Sequence, residues 1–376
     1  MKAIEGSINW IQAADILRLT PRHLRRLRER YEHHGIPGLR DGRGGWTRPS
    51  RIPPAVVQEI CRLKREVYPD FSVRHFHDFA TERHGLKVSY TWTKDILQMK
   101  GLAEKSPGRG KHRRKRERRP MVGMLLHLDS STHPWISGVP DQDLGVMLDD
   151  ADGRILFARF FPQEGTRSTL VALKHVLVRF GRFCEFYTDR GSHFCRTGKA
   201  GEAPDEEQRG QVARVMRALG IRHILARLPE ARGRSERAFG TIQGRLPQEL
   251  RLAGIRTYED ANVYLDKTFV PDFNRRFTVT PAETERAFTH LAGIDLDLLL
   301  TSQHDRIVRN DNTVVFEKLE LQIPKLKDRI HFARCPVLVH EFLDETIGVS
   351  FQGRLLARYD RAGLPLKKGV IPAKAA

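Results

Sequence analysis

Sixteen residues near the end of the first third of the chain, KSPGRGKHRRKRERRP (105–120), carry nine Lys or Arg against one Glu. No core can absorb that density of charge, and the Pro and Gly within it resist a regular element, so the run reads as a solvated basic linker that divides the chain. Before it, apolar residues recur at helical spacing; after it, they form short runs bounded by turn residues. Two differently built parts are predicted, and charge separates them as well. Residues 1–120 hold 28 Lys+Arg against 13 Asp+Glu, net +15, while the other 256 hold 37 against 33, net +4. A positive field so placed attracts a polyanion with a regular phosphate array, as nucleic acid is.

The N-terminal part reads as DNA-binding helices. INWIQAADILR (8–18) is a short amphipathic helix; Leu19-Thr20-Pro21 then supplies a break, an N-cap and a proline suited to a first turn. A second helix follows from Pro21 to about His33, with Leu24, Leu27 and Tyr31 facing a core and Arg22, Arg25, Arg26, Arg28 and Arg30 over the rest of its surface. Helix, tight turn and basic helix in that order form a helix-turn-helix. A second helical module is expected over 51–104, its last helix capped by Ser89. The linker would strap nucleic acid between domains through Arg113, Arg114, Lys115 and Arg116.

Hydrophobic residues make up 40% of the chain, enough for a real core, and the length allows several domains. The cysteines Cys61, Cys184, Cys195 and Cys335 form no CxxC pair and no zinc spacing, which favours a reduced, cytoplasmic protein. No secretory leader and no apolar run of membrane-spanning length is present, so neither secretion nor a membrane is expected.

After Pro120 the runs MLLHLD (124–129), DLGVMLDD (143–150) and RILFARFFP (154–162) read as strands, the last two joined by the turn Asp150-Ala151-Asp152-Gly153. A helix at about 167–180, the strand CEFYTD (184–189), a helix at about 205–219, the strand HILARL (223–228) and a helix opening near Gly233 follow. The order βββαβαβα is that of an α/β ribonuclease H-like core, expected over 121–295. Asp129 and Asp189 end two of the strands, and Glu236 lies on the last helix, beside an apolar stripe of Ala238, Phe239, Ile242 and Leu246. Carboxylates distant in sequence can thus converge at one sheet edge, a donor set that suits Mg²⁺. Asp149, Asp150 and Asp152 have a plainer role, since Asp favours such turns for its backbone hydrogen bonds. His127 shares the face of Asp129 and reads first as a core residue.

Asp129, Asp189 with the Arg-Gly-Ser-His-Phe after it, Glu236, and FNRRFTVTPAE (273–283) together resemble the DDE integrase and transposase superfamily, over residues 1 to about 290. The resemblance implies a magnesium- or manganese-dependent polynucleotidyl transferase in which the three carboxylates hold two metal ions. It further implies double-stranded DNA, both element ends and target, as substrate, and a homo-oligomer assembled on that DNA. His193, Arg237 and Gln243 would contact it, with Gly240 and Gly244 letting a backbone approach. The 46 residues between Asp189 and Glu236 exceed the habit of retroviral-type integrases, and Glu230 competes for the third position. Glu236 is preferred because Glu230 follows a proline in a loop, and 194–210 reads as an inserted loop that accounts for the surplus.

From Ser302 to about 365 the chain turns β-rich again, and a small C-terminal β-barrel of about five strands is expected, with a hairpin across Gln352-Gly353. The whole then reads as a transposase that cleaves the 3′ ends of its element and joins them to target DNA. The alternatives are a DNA-binding regulator that has lost catalysis and a ribonuclease H-like nuclease without strand transfer.

Overall fold

The computed structural model describes residue 3 and residues 5–40, 52–105, 117–194, 210–226, 233–291, 293–326 and 329–366. Two compact units are formed, Met1–Pro69 with Phe76–Glu104, and Asp70–His75 with Lys105–Ala376.

The first unit contains α1 (Trp10–Leu17), α2 (Pro21–Gly38), α3 (Pro54–Glu66), most of α4 (Val73–His84) and α5 (Tyr90–Met99). The Asn9 side chain accepts from Gln12 N at 2.7 Å while the Gln12 side chain accepts from Asn9 N at 3.1 Å, a reciprocal cap that starts α1. Thr20 caps α2 through His23 N at 3.2 Å, and Ser89 caps α5 through Trp92 N at 3.2 Å, as the sequence predicts. Ala13 and Ala14 pack on Leu24, with Leu27 and Tyr31 half-buried on the same helix. The helix α2 runs past His33, but Gly35 breaks it at φ 64°, a conformation glycine reaches without a Cβ penalty.

In the second unit the elements are β1 (Leu125–His133), β2 (Gln142–Asp149), β3 (Ile155–Phe161), α6 (Thr166–Phe180), β4 (Glu185–Thr188), α7 (Gln211–Leu219) and β5 (Arg222–Leu225). Then come α8 (Gly233–Gln243), α9 (Leu246–Leu252), α10 (Tyr258–Tyr264), a π-helical turn (Leu265–Phe269), α11 (Val270–Phe277) and α12 (Leu296–Leu299). The sheet order is β3-β2-β1-β4-β5, with β1, β2 and β3 antiparallel and β1, β4 and β5 parallel. This is the predicted α/β ribonuclease H-like core. Strand alternation gives the sheet two different faces. Leu126 and Leu128 of β1 pack with Met147, Phe186 and the apolar stripes of α6 and α7. On the other face Leu144, Val146 and Leu148 of β2 pack with Phe239 and Ile242 of α8 and with α9 to α11. His127, Asp129 and Ser131 stand on that second face, paired with Leu148, Val146 and Leu144.

The strand β3 closes one border of the sheet, and its backbone there is met by two asparagines. Asn274 of α11 accepts from Ile155 N at 2.8 Å and donates to Ile155 O at 2.9 Å. Asn262 of α10 accepts from Phe160 N at 2.7 Å and donates to Phe160 O at 3.5 Å. The asparagine of the FNRRF segment therefore belongs to the fold.

The C-terminal segment holds β6 (Ser302–Ile307), β7 (Thr313–Phe316), β8 (Leu319–Gln322), β9 (Pro336–Glu341), β10 (Ile347–Phe351) and β11 (Arg354–Tyr359). β10 and β11 form the expected hairpin, with Gln352 at φ 47° and Gly353 at φ 79°. Four strands make a sheet of order β11-β10-β9-β6, and β7 with β8 makes a separate two-stranded sheet. Both contribute to one core that includes Val314, Leu321, Val339, Val349 and Tyr359. Among the described residues the two sheets are not hydrogen-bonded into a closed ring, so the expected barrel is not seen. Also among the described residues, no helix is long and apolar enough to cross a membrane.

Candidate active site

Parallel pairing aligns the two strands that lead to Asp129 and Asp189. His127 of β1 lies opposite Tyr187 of β4, and two residues further along the same direction stand Asp129 and Asp189. Both aspartates therefore lie toward the same end of the sheet, beyond the last paired residues of β1 and β4. β4 ends at Thr188, and Asp189 turns the chain by accepting from Gly191 N at 2.8 Å. A Cβ on Gly191 would lie 3.1 Å from Asp189 Oδ1 and 2.9 Å from His193 Cε1, so glycine lets both side chains lie close to the turn. Asp129 accepts from Ser130 N at 3.0 Å. Both carboxylates are half-buried, hard oxygen donors of the kind Mg²⁺ takes.

Glu236 sits in the first turn of α8 and is exposed. Ser235, Phe239 and Ile242 bury the inner face of that helix. Glu236, Gly240 and Gln243 share one line along it, and Gln243 meets β1 by donating to Ser131 Oγ at 2.9 Å. That contact lies two residues beyond Asp129 on the same face, so the line carrying Glu236 runs beside the strand carrying Asp129. Among the described residues no three His, Cys, Asp or Glu side chains gather to hold one metal ion. Asp129, Asp189 and Glu236 thus do not gather into one such group. Glu230, the competing acid, lies outside the described residues.

The turn aspartates make the backbone bonds read from the sequence, and they are also buried, which the sequence did not reveal. Asp149, Asp150 and Asp152 are each 1% exposed. Asp149 accepts from Gly123 N at 2.7 Å and Ala151 N at 2.8 Å; burial still dominates and pushes its pKa up to about 6. Asp152 accepts from Arg154 N at 2.8 Å. For Asp150 burial pushes upward, but His127 (2.9 Å), Arg234 and the Arg119 amide (2.8 Å) outweigh it and hold the carboxyl well below its usual range. The buried His127 thus belongs to the core as expected, and its specific partner is Asp150.

Next to Asp189, Thr188 Oγ1 lies 2.9 Å from His223 Nε2, and burial lowers the His223 pKa to about 4, so this imidazole is neutral near pH 7. Sequence reasoning had given His223 no role. His193 lies with Nε2 3.5 Å from Glu164 Oε1 and its ring against Phe194. Arg237 is exposed and donates to Gly233 O at 2.7 Å, and no atom comes within 4 Å of a Cβ built on Gly240. A cavity of about 360 Å³ between α8, α11 and the β2–β3 turn is lined by Arg118, Arg234 and Arg237 among others. In the first unit Arg22, Arg25, Arg26 and Arg28 are all exposed on α2, Arg28 pairing with Glu32 at 2.5 Å and lying over the Trp10 ring. Arg113, Arg114, Lys115 and Arg116 lie outside the described residues.

A family model described as a homeodomain-like domain matches residues 23–97. The chain is 30% identical over 358 residues to y4bF of Sinorhizobium fredii (strain NBRC 101917 / NGR234), a protein named as a transposase, covering 94% of this chain and 78% of that one. It is 28% identical over 313 residues to the transposase for insertion sequence IS1202 of Streptococcus pneumoniae, covering 74% and 67%. Two solved structures superpose only loosely. The HTLV-2 integrase catalytic core domain in complex with magnesium is 15% identical, covers 44% of this chain and 94% of that one, and gives a TM-score of 0.32. The simian T-cell lymphotropic virus intasome in complex with PP2A regulatory subunit B56 gamma is 16% identical, covers 77% and 99%, and gives 0.35. The sequence similarity to y4bF spans nearly the whole chain, which belongs to the family of transposases that includes y4bF and the IS1202 transposase.

Proposed function

We propose that this transposase binds the ends of its own mobile element, cleaves their 3′ ends and joins them to target DNA, with Asp129, Asp189 and Glu236 as its metal-holding carboxylates. The observation that supports this reading is the parallel pairing of β1 with β4, whose last paired residues, His127 and Tyr187, come two residues before Asp129 and Asp189. Two Mg²⁺ or Mn²⁺ ions held by these oxygens would supply Lewis acidity at the scissile phosphate and lower the pKa of the attacking water or hydroxyl. In this reading β1 carries Asp129, the turn after β4 carries Asp189, and the first turn of α8 carries Glu236. Hydrolysis breaks the P–O bond to free a 3′-hydroxyl. That hydroxyl then attacks a target phosphorus and displaces a target 3′ oxygen, so no bond to the protein is formed.

The exposed arginines of α2 and the basic residues 113–116 would neutralise phosphates, while Arg237 and His193 would contact DNA nearer the reacting bond. Gln243 would add to that contact, although its amide is already engaged with Ser131. We assign residues 1–50 and 51–104 to end binding, 105–120 to the linker, 121–295 to catalysis, and 302–365 to a module contacting DNA or a neighbouring copy. Handling two ends at once calls for at least two copies, in the cytoplasm where the element's DNA lies.

The test is a strand-transfer assay with end-containing oligonucleotides and Mg²⁺. Asp129→Ala, Asp189→Ala and Glu236→Ala should each abolish cleavage and joining while end binding persists. Full activity in any one of them overturns its assignment. Binding without cleavage by the unaltered protein would instead mark a DNA-binding regulator, and cleavage without joining a nuclease.

A further inference from the structure

Asp150 sits where three parts of the core meet. Its Oδ1 accepts from His127 Nε2 at 2.9 Å and from the Arg234 guanidinium, and its Oδ2 accepts from the Arg119 amide at 2.8 Å. The carboxylate side chain is 0% exposed, with His127 at 4% and Arg234 at 16%. His127 precedes Asp129 by two residues on the same face of β1, and Arg234 precedes Glu236 by two residues in the first turn of α8. One buried carboxylate from the β2–β3 turn therefore grips the strand that carries one candidate ligand and the helix that carries another.

We propose that Asp150 is a positioning residue: through His127 and Arg234 it sets the placement of Glu236 relative to Asp129. The inference rests on the carboxylate assignment above and deepens it. A buried charge-assisted bond is short and directional, and removing one partner leaves the other charge largely buried without its counter-charge, so the tether is costly to break. At the far end of α8 Gln243 is held to Ser131 by a single neutral bond. Phe239 and Ile242 bury that half of the helix, so the tether to Asp150 acts mainly on the first turn, which bears Glu236.

Asp149 supplies the internal control. It is as buried as its neighbour and stands on the same turn, but among the described residues its carboxylate accepts only from the amides of Gly123 and Ala151. A variant there disturbs the turn without touching the helix tether. The experiment compares full-length Asp150→Asn, Arg234→Gln, Arg234→Lys and Asp149→Asn by melting temperature, end-DNA binding, cleavage rate, and the Mg²⁺ concentration giving half-maximal cleavage. Replacing groups that orient metal ligands costs about 10- to 100-fold in affinity or activity. Asp150→Asn and Arg234→Gln should therefore slow cleavage by about 10- to 100-fold and raise the Mg²⁺ requirement about tenfold, with end binding unchanged. Arg234→Lys should recover part of both. Asp149→Asn should lower the melting temperature and leave the Mg²⁺ requirement alone.

Wild-type Mg²⁺ dependence in Asp150→Asn, or a shared loss in Asp149→Asn and Asp150→Asn that follows only their melting temperatures, overturns the proposal. Amide exchange along Ser235–Gln243 reads the tether without turnover. Faster exchange is expected in Asp150→Asn and Arg234→Gln but not in Asp149→Asn, and unchanged exchange overturns the proposal. If the unaltered protein cuts no DNA while exchange responds as expected, the tether stands and only the catalytic reading falls.

Discussion

Replacing Asp149 by Asn should change how the stability of the core depends on pH. In the folded chain this carboxyl titrates at about 6 rather than at its ordinary 3.8, because burial penalises its charged form more than two amide bonds favour it. The folded state then holds the proton more tightly than the unfolded chain does. Its contribution to stability is complete below the unfolded pKa and is lost as pH rises through the folded one. At 1.36 kcal/mol per pH unit the full span is worth about 3 kcal/mol, of which about 2 kcal/mol falls between pH ~4.5 and pH ~7.5. Asn has one oxygen for two amide donors, so the variant also carries a pH-independent cost of about 1–3 kcal/mol. The assay is urea unfolding of both proteins at several pH values across that range. Taking the difference at each pH cancels every other titrating group they share. The gap between them should narrow by about 2 kcal/mol from the acid to the neutral end. A gap constant to within about 0.5 kcal/mol would refute the claim that burial governs this carboxyl.

Asn274→Ala removes both bonds to Ile155 and should cost roughly 2–4 kcal/mol in urea unfolding, with more aggregation on standing; unchanged stability would mean water replaces the amide at no cost. Gly123→Ala places a Cβ 2.8 Å from Phe288 Cδ2 at a residue with φ 89°, so a loss of at least about 2 kcal/mol is expected, read by thermal melting. Arg25→Ala with Arg26→Ala should weaken end-DNA binding and flatten its dependence on salt by about one to two in log–log slope, measured by titration from ~50 to ~200 mM salt. An unchanged slope would remove those residues from the phosphate contacts.

Local chemistry made much of this fold readable. Thr20 before Pro21 and Ser89 are caps whose partners lie three residues on, and the alternation in β1 to β3 points to a sheet without any knowledge of its neighbours. Asp129 and Asp189 were legible as candidates for the same reason, each ending a short apolar run, and the strands that lead to them pair in parallel. What could not be read depends on partners far away in sequence. Asp150 is an ordinary turn residue until Arg234, 84 positions later, arrives beside it, and nothing in the local sequence tells a buried aspartate from a solvated one. Asn262 and Asn274 carry no local sign that they face Ile155 and Phe160. Glu236 was placed on its helix from the apolar stripe, but periodicity fixes a direction around the axis and not a distance to a ligand partner. The C-terminal strands show the same limit, since alternation predicted strands well and closure of their ladder poorly.

The asparagines along β3 also bear on how copies of this chain behave when crowded. A strand from another molecule can extend a sheet only where outward amides and carbonyls are vacant, and at Ile155 and Phe160 both groups are already engaged by side chains of α11 and α10. The opposite border is β5, which is only four residues long (Arg222–Leu225). Neither border offers the long, flat template on which cross-β stacking grows. Copies of this core can thus be crowded together without seeding a fibril from this sheet.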